Sequence, residues 1–479
     1  MILHIGRVIL VVLEVLIIFN LLIVVHEIGH FLAGRWRGLY IEKFGIWFGK
    51  PIWKKKINGV QYSLGCLPFG GFVALPQLAP MDIIEGKADV DREALPPVSA
   101  LDKIIVAVAG PFFSLLLAFF FAVLVWVAGY PVSESDMTTV VGYVMPDSPA
   151  EKVGLQPGDK ILEVDGKRVT RFLGMNDSVS WAVVRSEGET IPVKFERNGE
   201  VHTVQVEPYK TETGRWRRKS VRQLLILPAE TAIIDKVELN SPAAKAGLRP
   251  GDIIRGFNHQ PIYNFSALLE YIKKHPDETL TLEVERGGSR SEVPVKPTPL
   301  PTEEDEGKTK IQPRIGIRWD ASGQMSIAHP SPIELIYNSV TSTLNTLGAV
   351  ISPKSDVKLQ HLSGPIGIGR IYFLFFQSEH GWQLVLWLSV VLNVNLAILN
   401  MLPIPVLDGG HILFGLIESV RRRPLNIQVL EYVQGVCTLL IVGLIVYITF
   451  FDIQDIPFVR HALDKYMPQS SQTKNRDLP

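Results

Sequence analysis

Cysteine is almost absent. Two cysteines in 479 residues leave nothing for a disulfide scaffold to be built from. Cys66 stands in an aromatic, glycine-rich stretch and Cys437 in an apolar one, so both read as small packing residues rather than ligands. Net charge is absent too. Lys plus Arg equals Asp plus Glu at 48 each, which leaves no basic excess to hold a nucleic acid. The first apolar run has neither a compact basic start nor a small-x-small exit, so it reads as a retained segment rather than a cleaved signal.

What the chain does have is long apolar runs, and a mean hydropathy of +0.20 to match. A bilayer takes roughly 20 apolar residues to cross. Four stretches reach that length: about residues 5–34, Ile104 to Ala128, Trp382 to Leu402 and Val433 to Phe451. The second and third hold no charge at all. Between the first two spans lie Arg35, Arg37, Lys43, Lys50, Lys54, Lys55 and Lys56; between the last two lie Arg421, Arg422 and Arg423. Four spans put both basic loops on one side, and the positive-inside rule makes that side cytoplasmic. Both termini and the segment 130–381 are then expected outside it.

The first span ends in His26-Glu27-Ile28-Gly29-His30. This is H-E-x-x-H, in which two histidines four apart share a helix face and the glutamate between them can serve as a base. Ionisable groups at membrane depth are costly and mark function by default. A bound metal removes much of that cost. Glu14 lies about 18 Å up the same helix, too far to join, and is expected to face other helices or the outer interface. A catalytic zinc needs a third protein ligand. The metzincin spacing would place it at position 36, which is Trp36. The third span ends in Asn400-Met401-Leu402-Pro403-Ile404-Pro405-Val406-Leu407-Asp408-Gly409-Gly410-His411. It runs in the same direction as the first, so Asp408 falls at the depth of the two histidines. Its prolines break the helix, and its glycines allow a close fold. His411 is the rival ligand, with a supporting role the better reading.

Residues 39–75 alternate aromatic and β-branched runs around Asn58-Gly59, a hairpin signal. Their tryptophan and phenylalanine content suggests a sheet dipping into the membrane interface. Residues 76–100 read as a loop. In the outer segment, Ser148-Pro149-Ala150-Glu151-Lys152-Val153-Gly154-Leu155-Gln156-Pro157-Gly158-Asp159 recurs as Ser241-Pro242-Ala243-Ala244-Lys245-Ala246-Gly247-Leu248-Arg249-Pro250-Gly251-Asp252. Serine caps a short helix, proline opens it, glycine ends it and Pro-Gly-Asp turns into a strand. The pattern is similar to that of protease-associated PDZ domains, which hold peptides by strand addition. Lys210 to Arg222 reads as a basic linker, Lys296 to Lys310 as a flexible one, and 333–351 as an amphipathic helix at the outer interface.

With both motifs in hand, the chain resembles the site-2 intramembrane zinc metalloproteases. Its tandem PDZ patterns, Leu67-Pro68-Phe69-Gly70-Gly71-Phe72-Val73 and Leu362-Ser363-Gly364-Pro365-Ile366-Gly367-Ile368 resemble the bacterial regulator-of-sigma-E protease branch. One departure is Ser114, where the family commonly has Asn. The resemblance implies a polytopic α-helical membrane protein of four transmembrane helices, a membrane-associated β-hairpin region and two β-rich PDZ domains. Its expected segments are 1–34 with H-E-x-x-H, 35–100 with the hairpin and a cytoplasmic loop, and 101–129 as the second span. PDZ domains follow at 130–220 and 221–305. A linker with the interfacial helix takes 306–381, and the third span with its motif 382–411. A cytoplasmic loop at 412–428, the fourth span at 429–451 and a loose tail at 452–479 complete it. It further implies that His26, His30 and Asp408 bind Zn2+, that Glu27 is the general base, and that Asn400 contacts substrate. The implied substrates are single-span membrane proteins in the bilayer: an anti-sigma factor after a first cut, and remnant signal peptides. Peptide C-termini at the PDZ domains are further implied partners; nucleic acid is not. A non-catalytic scaffold with a structural zinc would have no need of Glu27. A sheddase acting outside the membrane would not place its motif at this depth.

Overall fold

A computed structural model describes residues 2–78, 95–214, 216–303, 309–320, 323–423 and 425–460. Most of the loop expected at 76–100, and the tail beyond residue 460, lie outside them. The chain divides into two compact units. One comprises Met1–Tyr130, His329–Asn345 and Leu362–Ile453; the other comprises Pro131–Ala328, Thr346–His361 and Gln454–Pro479.

The first unit opens with helix α1 (Ile2–Trp36), which carries the H-E-x-x-H motif in its last turns. Strands β1 (Lys43–Ile57) and β2 (Val60–Ala74) follow, then helix α2 (Ala100–Ala128). Ser99 caps α2 by accepting the Asp102 N–H at 3.2 Å, and Gly129 ends it at φ 71°. Helix α3 (Pro332–Ile351) matches the amphipathic segment read at 333–351. Helix α4 (Pro365–Gln377) lies within the segment 306–381 expected as linker and interfacial helix. Helix α5 (Gly381–Asn400) is the third apolar span, α6 (Asp408–Arg421) follows the proline turn, and α7 (Ile427–Gln454) contains the fourth span. Among the described residues, four helices are long and apolar enough to cross a membrane: Gly6–Trp36, Ala100–Ala128, Gly381–Asn400 and Gln428–Gln454. Their outward side chains, among them Leu10, Phe112, Phe119, Phe120, Leu439 and Leu440, are exposed large hydrophobics. That is the surface a lipid-facing helix presents.

Helix α2 is the centre of this unit. Between helices in lipid there is no water to release, so close packing by small residues supplies the attraction. A Cβ on Gly29 of α1 would come within 2.4 Å of the Ala109 carbonyl oxygen of α2, and only glycine permits that approach. Leu22, Ala118, Phe121, Ala122, Val125, Leu335, Val390 and Val394 form a buried cluster from four helices. At the other end Lys103 of α2 pairs with Glu418 of α6 at 2.8 Å, and Gly415 of α6 packs on Ile104. Helix α6 is therefore tied to the same helix that α1 crosses. The loop expected at 412–428 is corrected here: its first part continues α6 to Arg421. The prolines end α5 but leave the chain free to restart a helix at Asp408.

The β1–β2 region is more than a hairpin. Asn58 (φ 49°) and Gly59 (φ 87°) make the expected turn. Lys43 to Ile46, however, pairs with Gln61 to Leu64 on one side and with Gly71 to Ala74 on the other, while Pro51 to Ile57 covers the far side of Val60 to Gly65. The result is a bent sheet of four segments with Gly71 to Ala74 at an edge. Positive φ at Trp47, Gly49 and Gly70 makes the bends. Phe44, Val60 and Val73 seat the sheet on Val106 of α2, with Ile28 and Phe31 of α1 alongside.

The second unit holds two β-rich modules of one plan. Each has a strand, a four-residue helix (Pro149–Lys152, Pro242–Lys245), a strand, a longer helix (Val179–Arg185, Phe265–Lys274) and an antiparallel pair. Ser148 and Ser241 cap the short helices as read, accepting the N–H of Glu151 and Ala244. The repeated aspartates carry a bond the motif does not announce. Buried Asp159 is gripped by both Arg197 nitrogens at 2.6 Å, and Asp252 by Arg286 at 2.6 and 2.7 Å. Such bidentate pairs are the strong kind.

Two module boundaries are corrected. Ile226–Pro228, expected in the second module from residue 221, pairs with Val141–Val144 of the first. Ile317–Asp320, beyond the expected end at 305, pairs with Ala232–Val237 of the second. Each module is closed by a strand that returns from far along the chain. The flexible linker at 296–310 contains Thr298–Glu303, which pairs with Thr309–Arg314. The basic linker is anchored in part: Arg222 is buried, pairing with Asp356 at 2.9 Å and donating to the Gly188 carbonyl.

Candidate metal centre

Helix α1 sets His26 and His30 one turn apart on a single face. Their rings stand edge to face, centroids 4.9 Å apart, with Nε2 atoms 3.2 Å from each other. Asp408 arrives from the start of α6. Its Oδ2 lies 3.2 Å from His26 Nε2 and its Oδ1 3.2 Å from His30 Nε2. The turn that delivers it depends on two glycines. A Cβ on Gly409 would meet the Met401 and Leu402 carbonyl oxygens at 2.3 Å, and one on Gly410 the Ile404 oxygen at 2.2 Å. Gln434 of α7 donates to the Pro405 carbonyl at 3.3 Å and holds the turn from its far side. A carboxylate at a helix N-terminus is also favoured by the helix dipole.

The far sides of the rings are held by α2. His30 Nδ1 lies 2.8 Å from the Val106 carbonyl oxygen, and His26 Nδ1 3.0 Å from Ser114 Oγ. A carbonyl only accepts, so the neutral His30 ring carries its proton on Nδ1 and turns a bare Nε2 lone pair to Asp408. Lone pair against carboxylate is repulsive unless a cation lies between them. The three side chains offer one ligand atom each, all within 4.8 Å of one another. The 3.2 Å between the two Nε2 atoms is close to the roughly 3.3 Å edge of a tetrahedral site with ligands at about 2.0–2.1 Å. Asp408 Oδ2 has no hydrogen-bond partner among the described residues. The donor set and its spacing fit a zinc ion.

Glu27 lines the same cavity, together with Gly71, Phe72, Val73, Ala107 and Asn400. Gly71 of the sheet packs beside it: a Cβ there would lie 3.3 Å from Glu27 Cγ. Asn400 Nδ2 is 3.5 Å from His26 Nε2, at the cavity wall. His411 also faces the cavity but stays outside the three-residue cluster, its ring set edge-on to Phe414. Glu14 is half-buried elsewhere on α1. The structure thus brings His26, Glu27, His30, Asn400 and Asp408 to one cavity. Reading the sequence missed the contribution of α2. Val106, Gly110 and Ser114 are spaced by four and share a face, and the only hint was Gly110-Pro111 with a serine nearby in an otherwise apolar run.

The sequence pattern described as Peptidase family M50 matches residues 14–444. The chain is 30% identical over 431 residues to a protein of Neisseria meningitidis named as a zinc metalloprotease, covering 86% of this chain and 92% of that one. It is 28% identical over 462 residues to the regulator of sigma E protease of Salmonella typhi, covering 91% and 97%. The figures are the same for the regulator of sigma-E protease RseP of Escherichia coli K12.

Proposed function

The chain belongs to peptidase family M50 as a zinc metalloprotease of the site-2 type, in the regulator-of-sigma-E branch, and from that premise we propose that it cleaves the transmembrane segments of single-span proteins. In this reading His26, His30 and Asp408 hold the zinc and Glu27 is the general base. One observation carries the assignment: α1 and the start of α6, far apart in sequence, bring two imidazoles and a carboxylate to 3.2 Å of each other beside a glutamate.

Bound zinc supplies Lewis acidity at the scissile carbonyl and allows a water to deprotonate near neutral pH. Glu27 takes that proton and returns it to the leaving amine. Gly71, Phe72 and Val73 of the sheet wall the cavity beside Glu27. Asn400 binds the substrate backbone next to the cut. A helical substrate hides its carbonyl in its own hydrogen bonds and must unwind. The edge formed by Gly71 to Ala74, beside the cavity, offers replacement bonds by strand addition. This is the role proposed for the membrane-associated sheet.

The protein is a multi-pass inner-membrane protein. By the positive-inside rule the two β modules lie in the periplasm and the zinc near the cytoplasmic side. The modules are read as tandem PDZ domains. Ile226–Pro228 and Ile317–Asp320 each end their sheets, which supports capture of peptide C-termini along those edges. An anti-sigma factor shortened by a first protease, and remnant signal peptides, are the proposed substrates. The test is cleavage of a single-span substrate by the purified full chain in detergent, with the cut mapped by mass spectrometry. Cleavage within the span that stops with a zinc chelator and returns with zinc supports the reading. Cleavage outside the span, or indifference to the chelator, overturns it.

A further inference from the structure

Ser114 has no exposed surface and sits in a helix whose apolar run is free of charge. A hydroxyl in such a place costs on the order of 1–3 kcal/mol unless it is paired. Its partner is the Nδ1 of His26 at 3.0 Å. The other nitrogen of that ring faces Asp408 and His30 at 3.2 Å each. If Nε2 is to offer a lone pair to a metal, the ring proton must sit on Nδ1, where it donates to Ser114 Oγ.

The two imidazoles are thus supported differently by one face of α2. Val106 gives His30 a backbone carbonyl, which forces the tautomer because it cannot donate. Ser114 gives His26 a hydroxyl, which can accept or donate. Between them Gly110 leaves room for both rings: a Cβ there would lie 2.2 Å from His30 Nε2 and 2.8 Å from His26 Nε2. A side-chain hydroxyl can be removed by substitution and a backbone carbonyl cannot. His26 is therefore the ligand whose orientation rests on one replaceable atom.

We propose that Ser114 is a positioning residue for the metal site: it accepts the Nδ1 proton of His26 and holds that ring with Nε2 toward the ion. The proposal rests on the reading of His26 as a zinc ligand and extends it to a residue on another span. Partners of this kind typically change metal affinity by about 10–100-fold when removed.

The test uses the full chain in detergent, stripped with a chelator. Zinc affinity is measured by competition with a chromophoric chelator, and the ligand field by the visible spectrum of the cobalt-loaded protein. Ser114→Ala is expected to weaken zinc binding by about 10–100-fold and to alter the cobalt bands, while the stripped protein melts as wild type does. Ser114→Thr, which keeps the hydroxyl, is expected to stay within about threefold of wild type. An alanine variant with unchanged affinity and unchanged cobalt bands overturns the proposal. So does equal weakening by alanine and threonine, which assigns Ser114 to packing. Wild-type protein that binds no zinc at all defeats the metal reading itself, a separate outcome.

Discussion

Gly110 faces the His30 ring so closely that a Cβ at position 110 would lie 2.2 Å from Nε2. Adding one methyl group should therefore displace the ring proposed as a metal ligand while leaving a helix that favours alanine by about 1 kcal/mol over glycine. Gly110→Ala is expected to lose zinc affinity by at least about tenfold, the scale on which disturbed ligand orientation acts. Gly443→Ala serves as the control, since nothing lies within 4 Å of its added methyl. Metal analysis of the two purified variants checks this; equal zinc content would remove Gly110 from the site.

Asp408→Asn keeps the shape of the proposed third ligand and removes its charge. Stripped protein of this variant should take up zinc at least about tenfold more weakly than wild type, by the same scale. Wild-type affinity in a metal titration would transfer the third position to His411, which faces the same cavity.

Glu230, outside the spans, gives a pH dependence. Burial raises its pKa to about 7, with Glu134 and Asp136 adding to the shift. The folded unit thus holds this proton more tightly than the unfolded chain does. The stability it contributes is full below the ordinary carboxylate range and is lost as pH rises through about 7. Glu230→Gln should raise the melting temperature of the β-rich unit at pH 8 and change it little at pH 4. A gain of about 2–4 °C corresponds to about 1 kcal/mol in a unit of this size, after allowance for solvent screening of a half-exposed group. Differential scanning of both proteins at both pH values decides it; an equal shift at pH 4 and pH 8 contradicts the assignment.

Local signals carried most of what the sequence disclosed. H-E-x-x-H fixes a helix face by its spacing, Asn58-Gly59 a turn by its backbone preference, and the paired Ser-Pro-Ala repeats their caps. Asp408 was reachable because two spans running the same way share a depth. Returns over long distance were not legible. Ile226–Pro228 and Ile317–Asp320 close their modules by pairing with strands roughly eighty-five residues earlier, and nothing in a short strand names its partner. The bent sheet depends on Trp47 at φ 69°, a conformation that bulky residues rarely adopt and that no pattern announces. Ser114 looked like a deviation inside an apolar run. Its meaning appears only when α2 is set against α1 and the hydroxyl meets His26.

Glu27 is proposed as the base beside a zinc held by His26 and His30 of α1 and Asp408 of α6. Glu27→Gln and wild type should be compared in one experiment, with zinc content and cleavage of a single-span substrate measured on the same samples. The account predicts equal zinc in both, cleavage within the span by wild type, and cleavage by the variant reduced by at least about 100-fold, as expected for loss of a general base. A variant that binds zinc and still cuts at the wild-type rate would contradict it.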